Sequence, residues 1–584
     1  MEQNVFLKQA KERIMRLNEQ SAKDCLLEIV RRMQQENQEE FLLLLTNYGG
    51  KKETSQANAR SYQHRMSQEF VDEKIENFDS LFEQIEEEEL SLEANGYEDY
   101  SEGYWDSSWV WEYYDPMHVC EKIVDAIHFA QDCVNDRRYQ EAVSLFDKIL
   151  EVEIAAVNDG DEMTVRLEEM ADEGLLHVDL RELAPLILYA DYQVQKPGER
   201  AKSIYGYFAY PFFGDIHIEE MLRMGREELQ DIEQFWQDWI ELLSEKSGDL
   251  EARLLSEAVL IYQGPEGILH MARQNADKHP SLYLSALEEF EKNHDYEKME
   301  AAGAEAIDKL KVNLRIRGQI ALKAAFAASC LGETEKTKAY WLEAYRSDST
   351  VQNYLRLFAE KDCALTQGME AKELFKSREK ATNYICRDEE QRENIMDNRT
   401  WLTLNFFAGD FVKVKAACKN PASSLGWTGT FMEAGITLFL LYFNENKELG
   451  KGMTDIADSF SYEFGFSNKE SLPLLGNVSR KEKQYTQFWQ AFQNWRKYFP
   501  MDEKERKNIM SWIENIIHQR AQAIVGGQHR NQYGQVAKLV AALGEAKESR
   551  GETGAKQGLM SQYKREFPRH SAFHGEMREY GVKF

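Results

Sequence analysis

Apolar side chains recur at intervals of three and four residues along most of this chain, and that spacing predicts helix. Val5, Phe6, Ala10, Ile14 and Leu17 share one helical face, and Leu26, Leu27, Val30, Met33 and Phe41 share another. Two amphipathic helices are therefore expected within residues 1–45. Residues 46–60 are polar and contain Gly49-Gly50, which predicts a loop. A further amphipathic helix follows, with Val71, Ile75, Phe78, Leu81, Phe82 and Ile85 on one side.

The pattern breaks at 86–116. Four consecutive glutamates (86–89) lead into a segment carrying Tyr97, Tyr100, Tyr104, Trp105, Trp109, Trp111, Tyr113 and Tyr114 among acids and glycines. Two readings fit. In one, the acids solvate a helix end and the aromatics of the following loop dock onto the body. In the other, an exposed acidic-aromatic patch grips a basic partner. Trp105, Trp109, Trp111 and Tyr113 are the candidate partner-binding residues.

Helical patterning resumes at Val119 and rarely stops. The run DRRYQEAVSLFDKILE places Tyr139, Ala142, Phe146 and Ile149 where tetratricopeptide-type hairpins alternate aromatic and small residues, which lets antiparallel helices approach closely. Related runs lie around Met299, Thr337 and Val414, separated by 38 and then 77 residues, close to one and two periods. No strict consensus survives, so the expected fold is all-α, built of stacked antiparallel helical hairpins as a degenerate TPR/HEAT-like α-solenoid. Strand is expected to be nearly absent. Residues 203–218 are aromatic and glycine-broken, suggesting an irregular turn or a short extended piece. Phe488, Trp489, Phe492, Trp495 and Phe499 keep the helical spacing of a core stripe. These breaks divide the chain into an N-terminal helical segment (1–85), an acidic-aromatic linker (86–116), a hairpin domain (117–250), degenerate repeats (251–478) and a C-terminal helical domain (479–584).

Composition sharpens this picture. The chain has only 10 prolines in 584 residues, which suits long helices. Its formal net charge of −30 would repel a phosphate backbone or an anionic membrane surface, so nucleic acid is disfavoured and another protein is the expected partner. Seven scattered cysteines without any C-x-x-C fit free thiols in a reducing compartment. The first residues interrupt every apolar run with charge, unlike a signal peptide, and the most apolar stretch, 431–443, is short and contains Glu433. The cytoplasm is the expected location.

The sequence contains no phosphate loop, no nucleophile elbow and no H-E-x-x-H motif, and no enzyme activity or cofactor is expected. Lys451 stands between Gly450 and Gly452, but Glu445 occupies the place where a phosphate loop needs its first glycine. His570 and His574 are one helical turn apart, a workable spacing for two imidazoles on a metal, with His518, His529 or Glu576 as possible further ligands. The alternative is a terminal helix carrying two surface histidines. His118, Cys120, His128 and Cys133 do not have zinc-module spacing. The run NDGDE (158–162) offers oxygens but lacks the calcium-loop pattern, and reads as a turn leading into a helix N-cap.

The C-terminal residues His529, Arg530, Tyr533, Ala542, Leu543, Glu545, Arg569, Ala572 and Phe573 form a pattern that resembles the helical region of bacterial SWIM zinc-finger-associated proteins. The run from Tyr340 through Trp341 to Leu357 is similar to an upstream element of the same family. The finger itself requires C-x-C followed by C-x-H, and neither occurs here. The resemblance therefore implies the helical body alone and carries no catalytic or zinc-ligating residue. The expectation is a non-catalytic helical scaffold or adaptor that binds another protein. The alternative is a helical regulatory subunit of a nucleic-acid-associated complex, touching it through basic islands such as Lys564-Arg565 and Arg569.

Overall fold

In a computed structural model, the described residues are 64–99, 108–158, 161–224, 227, 229–359, 388–393, 396–418, 426–427, 430–464, 466 and 485–581. The helices expected within 1–45 and the loop at 46–60 lie outside them. Of the described residues, 70% are helical, in 23 α-helices, so the fold is predominantly all-α with packed helical pairs. They form two compact units, divided between Ile232 and Glu233.

The first unit opens with α1 (Gln68–Glu86), whose Ser67 side chain caps the helix by accepting the Phe70 N–H. Val71, Phe78, Leu81 and Ile85 form its buried stripe. Strands β1 (Leu92–Asp99) and β2 (Ser108–Tyr114) follow, then the hairpin of α2 (Val119–Asn135) and α3 (Tyr139–Leu150). Strands β3 (Glu153–Asn158) and β4 (Asp161–Arg166) complete one sheet of order β2-β1-β3-β4. β1 pairs antiparallel with β2 and parallel with β3, and β3 pairs antiparallel with β4. Helices α4 (Leu167–Asp172), α5 (Leu180–Val194), α6 (Arg200–Tyr207) and α7 (Ile218–Met221) finish the unit.

The sheet corrects the expectation that strand is nearly absent. It also places two strands inside the segment expected to be a linker. Strand parity sets the two sheet faces: Leu92, Ala94, Ile154, Ala156 and Val165 point into the core, and Glu93, Asn95, Tyr97, Glu153 and Val157 take the other, exposed side, where the small Ala155 is also buried. The run NDGDE joins β3 to β4, with Asn158 paired to Asp161, so it does not lead into a helix N-cap. Residues 203–218 hold the end of α6 and a 3-10 turn at Pro211–Phe213, without an extended strand. Tyr207, Phe208 and Tyr210 gather there around the buried Phe213 ring.

The second unit begins with α8 (Ile232–Glu245) and α9 (Asp249–Asn275), which bends at Gly264-Pro265. A stack of α10 (Ser281–Lys292), α11 (Tyr296–Lys309), α12 (Arg315–Cys330) and α13 (Thr334–Ser347) follows, then α14 (Val351–Arg356). In this stack each helix packs on the next, and α10 also packs on α12. Further on lie α15 (Asn398–Phe407), α16 (Phe411–Ala417), α17 (Met432–Phe443), α18 (Lys451–Glu463) and α19 (Tyr485–Arg496). The unit closes with α20 (Glu503–Ala521), α21 (Tyr533–Ser549), α22 (Ala555–Glu566) and α23 (Ser571–Glu579).

One turn recurs in both units. Between α2 and α3, α10 and α11, α12 and α13, and α15 and α16, the second residue after the helix has positive φ: Arg137 (60°), His294 (57°), Gly332 (76°) and Gly409 (81°). In each case the next N–H (Arg138, Asp295, Glu333, Asp410) donates to the carbonyl five residues back, at 2.8, 2.9, 2.8 and 3.0 Å. This closes the orphan carbonyls of the first helix and reverses the chain in two residues. These are the turns whose spacing the sequence repeats.

The core of the second unit is aromatic. Phe406, Phe407, Phe411, Phe439, Tyr442, Phe492 and Trp495 meet in edge-to-face, tilted and stacked pairs. The carbonyl of Phe407, left without a helical partner at the end of α15, accepts from Trp495 Nε1 (2.8 Å) and the Tyr354 hydroxyl (3.2 Å). The aromatic stripe at 488–499 is thus core, as its spacing indicates.

Candidate interaction surface

The acidic-aromatic segment resolves into two faces of a strand. Pairing sets Ala94 opposite Tyr113, Gly96 opposite Trp111 and Glu98 opposite Trp109, so Trp109, Trp111 and Tyr113 share the register of the core-facing residues Leu92 and Ala94. Trp111 and Tyr113 are half-buried. Burial raises the Tyr113 phenol above its ordinary value, and the carboxylates of Glu169 and Glu173 add to the effect. Trp105 lies outside the described residues, as does the side chain of Trp109.

The opposite face turns away from the core. Tyr114 (50% exposed) stands opposite Glu93, which in turn stands beside Val157 (49% exposed) on β3. Asn95 stands opposite Glu112, and Tyr97 (41% exposed) opposite Val110. The Tyr114 hydroxyl donates to Glu112 Oε2 (2.9 Å), and that bond holds the phenol above its ordinary value. Large exposed apolar groups therefore sit next to exposed carboxylates on one side of the sheet. The local charge is one-sided as well: residues 75–121 contain fifteen Asp or Glu and no Lys or Arg. On α1 the acids Asp72, Glu76, Asp79 and Glu83 line a shallow depression with Ile75 and Ser80.

Of the aromatics in this segment, Trp109, Trp111 and Tyr113 are sequence candidates for partner binding, whereas Tyr97 and Tyr114 belong to the same acidic-aromatic patch without being candidates, and Val110 and Val157 carry no sequence signal of that kind. A signal of another kind was available as alternation in Ser108–Tyr114, where every second residue is Trp or Tyr. Read as a strand, that alternation puts the two tryptophans and Tyr113 on one side and Val110, Glu112 and Tyr114 on the other.

The structure does not assemble the histidine cluster. His574 is buried, in contrast to the surface placement considered from sequence, and its Nε2 lies 2.9 Å from the Phe567 carbonyl. His570 lies against the Phe567 and Tyr533 rings, and His518 faces Glu566 at 3.6 Å. His529 is exposed, and Glu576 lies beside Gly534. Cys120 and Cys133 are buried in α2, and burial pushes each thiol up to about 12, while His118 and His128 are exposed. Among the described residues no group of three or more His, Cys, Asp or Glu is placed to hold a metal ion.

Other polar clusters have structural partners. Gly450-Lys451-Gly452 forms the start of α18, and the buried Glu545 carboxylate accepts the Gly452 and Met453 N–H groups (3.1 and 2.8 Å). A Cβ on Gly452 would come within 2.7 Å of the Ala542 backbone. Those glycines allow α18 to meet α21, and the Glu545 carboxylate fills the helix N-terminus, the usual seat of a bound anion. Tyr207 donates to Asp147 (2.9 Å) beside Asp191, whose carboxyl is raised by burial and accepts from Gln195 and Ser203. Asp191 is 1% exposed, beyond the reach of a substrate. Arg565 and Arg569 are exposed, with Glu566 between them bonded to Gln522.

Among the described residues no helix is long and apolar enough to cross a membrane. No protein-family model matches the chain, and no curated protein matches it.

Proposed function

We propose that this chain is a non-catalytic helical scaffold or adaptor that binds another protein, with the outer face of the four-stranded sheet as its docking platform. The observation carrying this reading is the exposure of Tyr97, Tyr114 and Val157 on one sheet face among carboxylates, with Tyr97 and Tyr114 inside a stretch lacking Lys and Arg. Exposed apolar groups rimmed by charge are characteristic of interaction sites. The hairpin stack of α10–α13 supports the same reading, since tetratricopeptide-like stacks generally serve as frames for binding. The C-terminal helices resemble the helical body of SWIM-associated proteins without the finger, which suits a binding role of this kind. Cys120, Cys133, Cys330 and Cys418 are free thiols, which fits a reducing compartment such as the cytoplasm.

The test is affinity purification of the tagged chain from its own cells, beside a Tyr97→Ser, Tyr114→Ser, Val157→Ser variant. A stoichiometric protein partner should accompany the native chain and be lost from the variant at an unchanged melting temperature. A partner retained by the variant would move the binding surface elsewhere. Turnover of a substrate by the pure chain would overturn the non-catalytic reading.

A further inference from the structure

The outer sheet face has a pattern that specifies what it would accept. Its first row runs across three strands as Tyr114, Glu93 and Val157, placing a carboxylate between two exposed apolar groups. The second row holds Glu112 beside Asn95, and the third holds Val110 beside Tyr97. Adjacent strands lie about 4.8 Å apart, and successive rows on one face are separated by about 7 Å along the strands. An extended polypeptide presents its own same-side residues at the same repeat of about 7 Å.

We infer that this face receives an extended basic segment of the partner protein, in which Lys or Arg alternates with aliphatic residues. The inference rests on the scaffold reading above and adds the partner's chemistry to it. A guanidinium or ammonium in the first row reaches Glu93 while its methylene stem covers Val157 and its charge lies over the Tyr114 ring. The next same-side cation reaches Glu112. An aliphatic side chain then covers Val110. Two cations on the neighbouring elements are already committed: Arg166 pairs with Glu153 (2.8 Å) and Lys148 with Asp79 (2.5 Å). The fifteen acids of 75–121 would draw a basic chain toward the face and repel phosphate-bearing partners.

A labelled peptide of alternating arginine and valine tests this by fluorescence anisotropy on the full chain. Two variants that keep their circular-dichroism spectrum are compared with the native protein. One is Glu93→Gln, Glu112→Gln, Tyr114→Ala on the face. The other is Glu335→Gln, Glu552→Gln, which removes equal charge from the second unit. Binding should weaken about ten-fold or more in the face variant and less than about two-fold in the control, and should weaken with added salt. Equal loss in both variants would mean that the peptide merely follows net charge, and would overturn the inference. So would undetectable binding by the native chain, or tighter binding of duplex DNA than of the peptide. If the native partner still depends on this face while the peptide fails, the basic-segment inference falls and the scaffold reading stands.

Discussion

Two buried carboxylates show how strongly a single residue can matter here. Glu545 is 6% exposed and satisfies the N-terminus of α18 together with Lys556, whose Nζ lies 2.8 Å away. Glu545→Ala leaves two N–H groups and an ammonium without their acceptor, and a loss of about 3–5 kcal/mol is expected in urea denaturation. A loss under about 1 kcal/mol would show that water replaces the carboxylate. Glu390 works in the opposite sense. It is 1% exposed and accepts from the Ser281 N–H (3.1 Å) and hydroxyl at the start of α10. Burial pushes its carboxyl up to about 8, and Asp249 and Asp388 add to the rise against the Ser281 bond. An unfolded glutamate titrates near about 4.3, so between the two values the folded chain holds a proton that the unfolded chain has released. This group's contribution therefore falls as pH rises from about 4 to about 8. Glu390→Gln should match the native chain in stability near pH 4 and exceed it near pH 8. A difference independent of pH would contradict that assignment.

At the scale of elements, the hairpin turns were legible and the sheet was not. The sequence repeats at 38 and 77 residues because the turn at His294, Gly332 and Gly409 has fixed offsets to the helix behind and the N-cap ahead. A left-handed residue is required there, and a Cβ at Gly332 would meet nothing within 4 Å. Gly332→Ala should thus cost about 1–2 kcal/mol through backbone strain alone, and His294→Gly should gain up to about 1 kcal/mol by relieving it. Denaturation midpoints moving in the same direction for both variants would contradict the shared turn. The strands, at six to eight residues, are too short to show a strong period, and β1 includes Asn95-Gly96 with three acids. The clearest local signal was Asp159-Gly160 between Asn158 and Asp161, a sequence typical of two-residue hairpins. Composition alone marked 86–116 as unusual. The side taken by each aromatic depends on strand parity, and shifting the reading by one residue exchanges the two faces.

At the scale of the whole molecule, the sheet and the helical core have different properties. From α12 to α23 the second unit gathers most of its buried aromatics into one continuous core and uses polar groups to close helix ends, while Tyr462 (79% exposed) and Val412 (69% exposed) stand singly on its surface. The first unit leaves tyrosine and valine exposed on a sheet with few cations nearby. We propose that the latter face holds the partner. Hydrogen–deuterium exchange of the chain alone and with its co-purified partner tests it most directly. Slowed exchange is expected in peptides covering 92–97, 110–114 and 153–158, with α10–α23 unchanged. Protection confined to the helical hairpins, with the sheet exchanging as it does in the isolated chain, would contradict it.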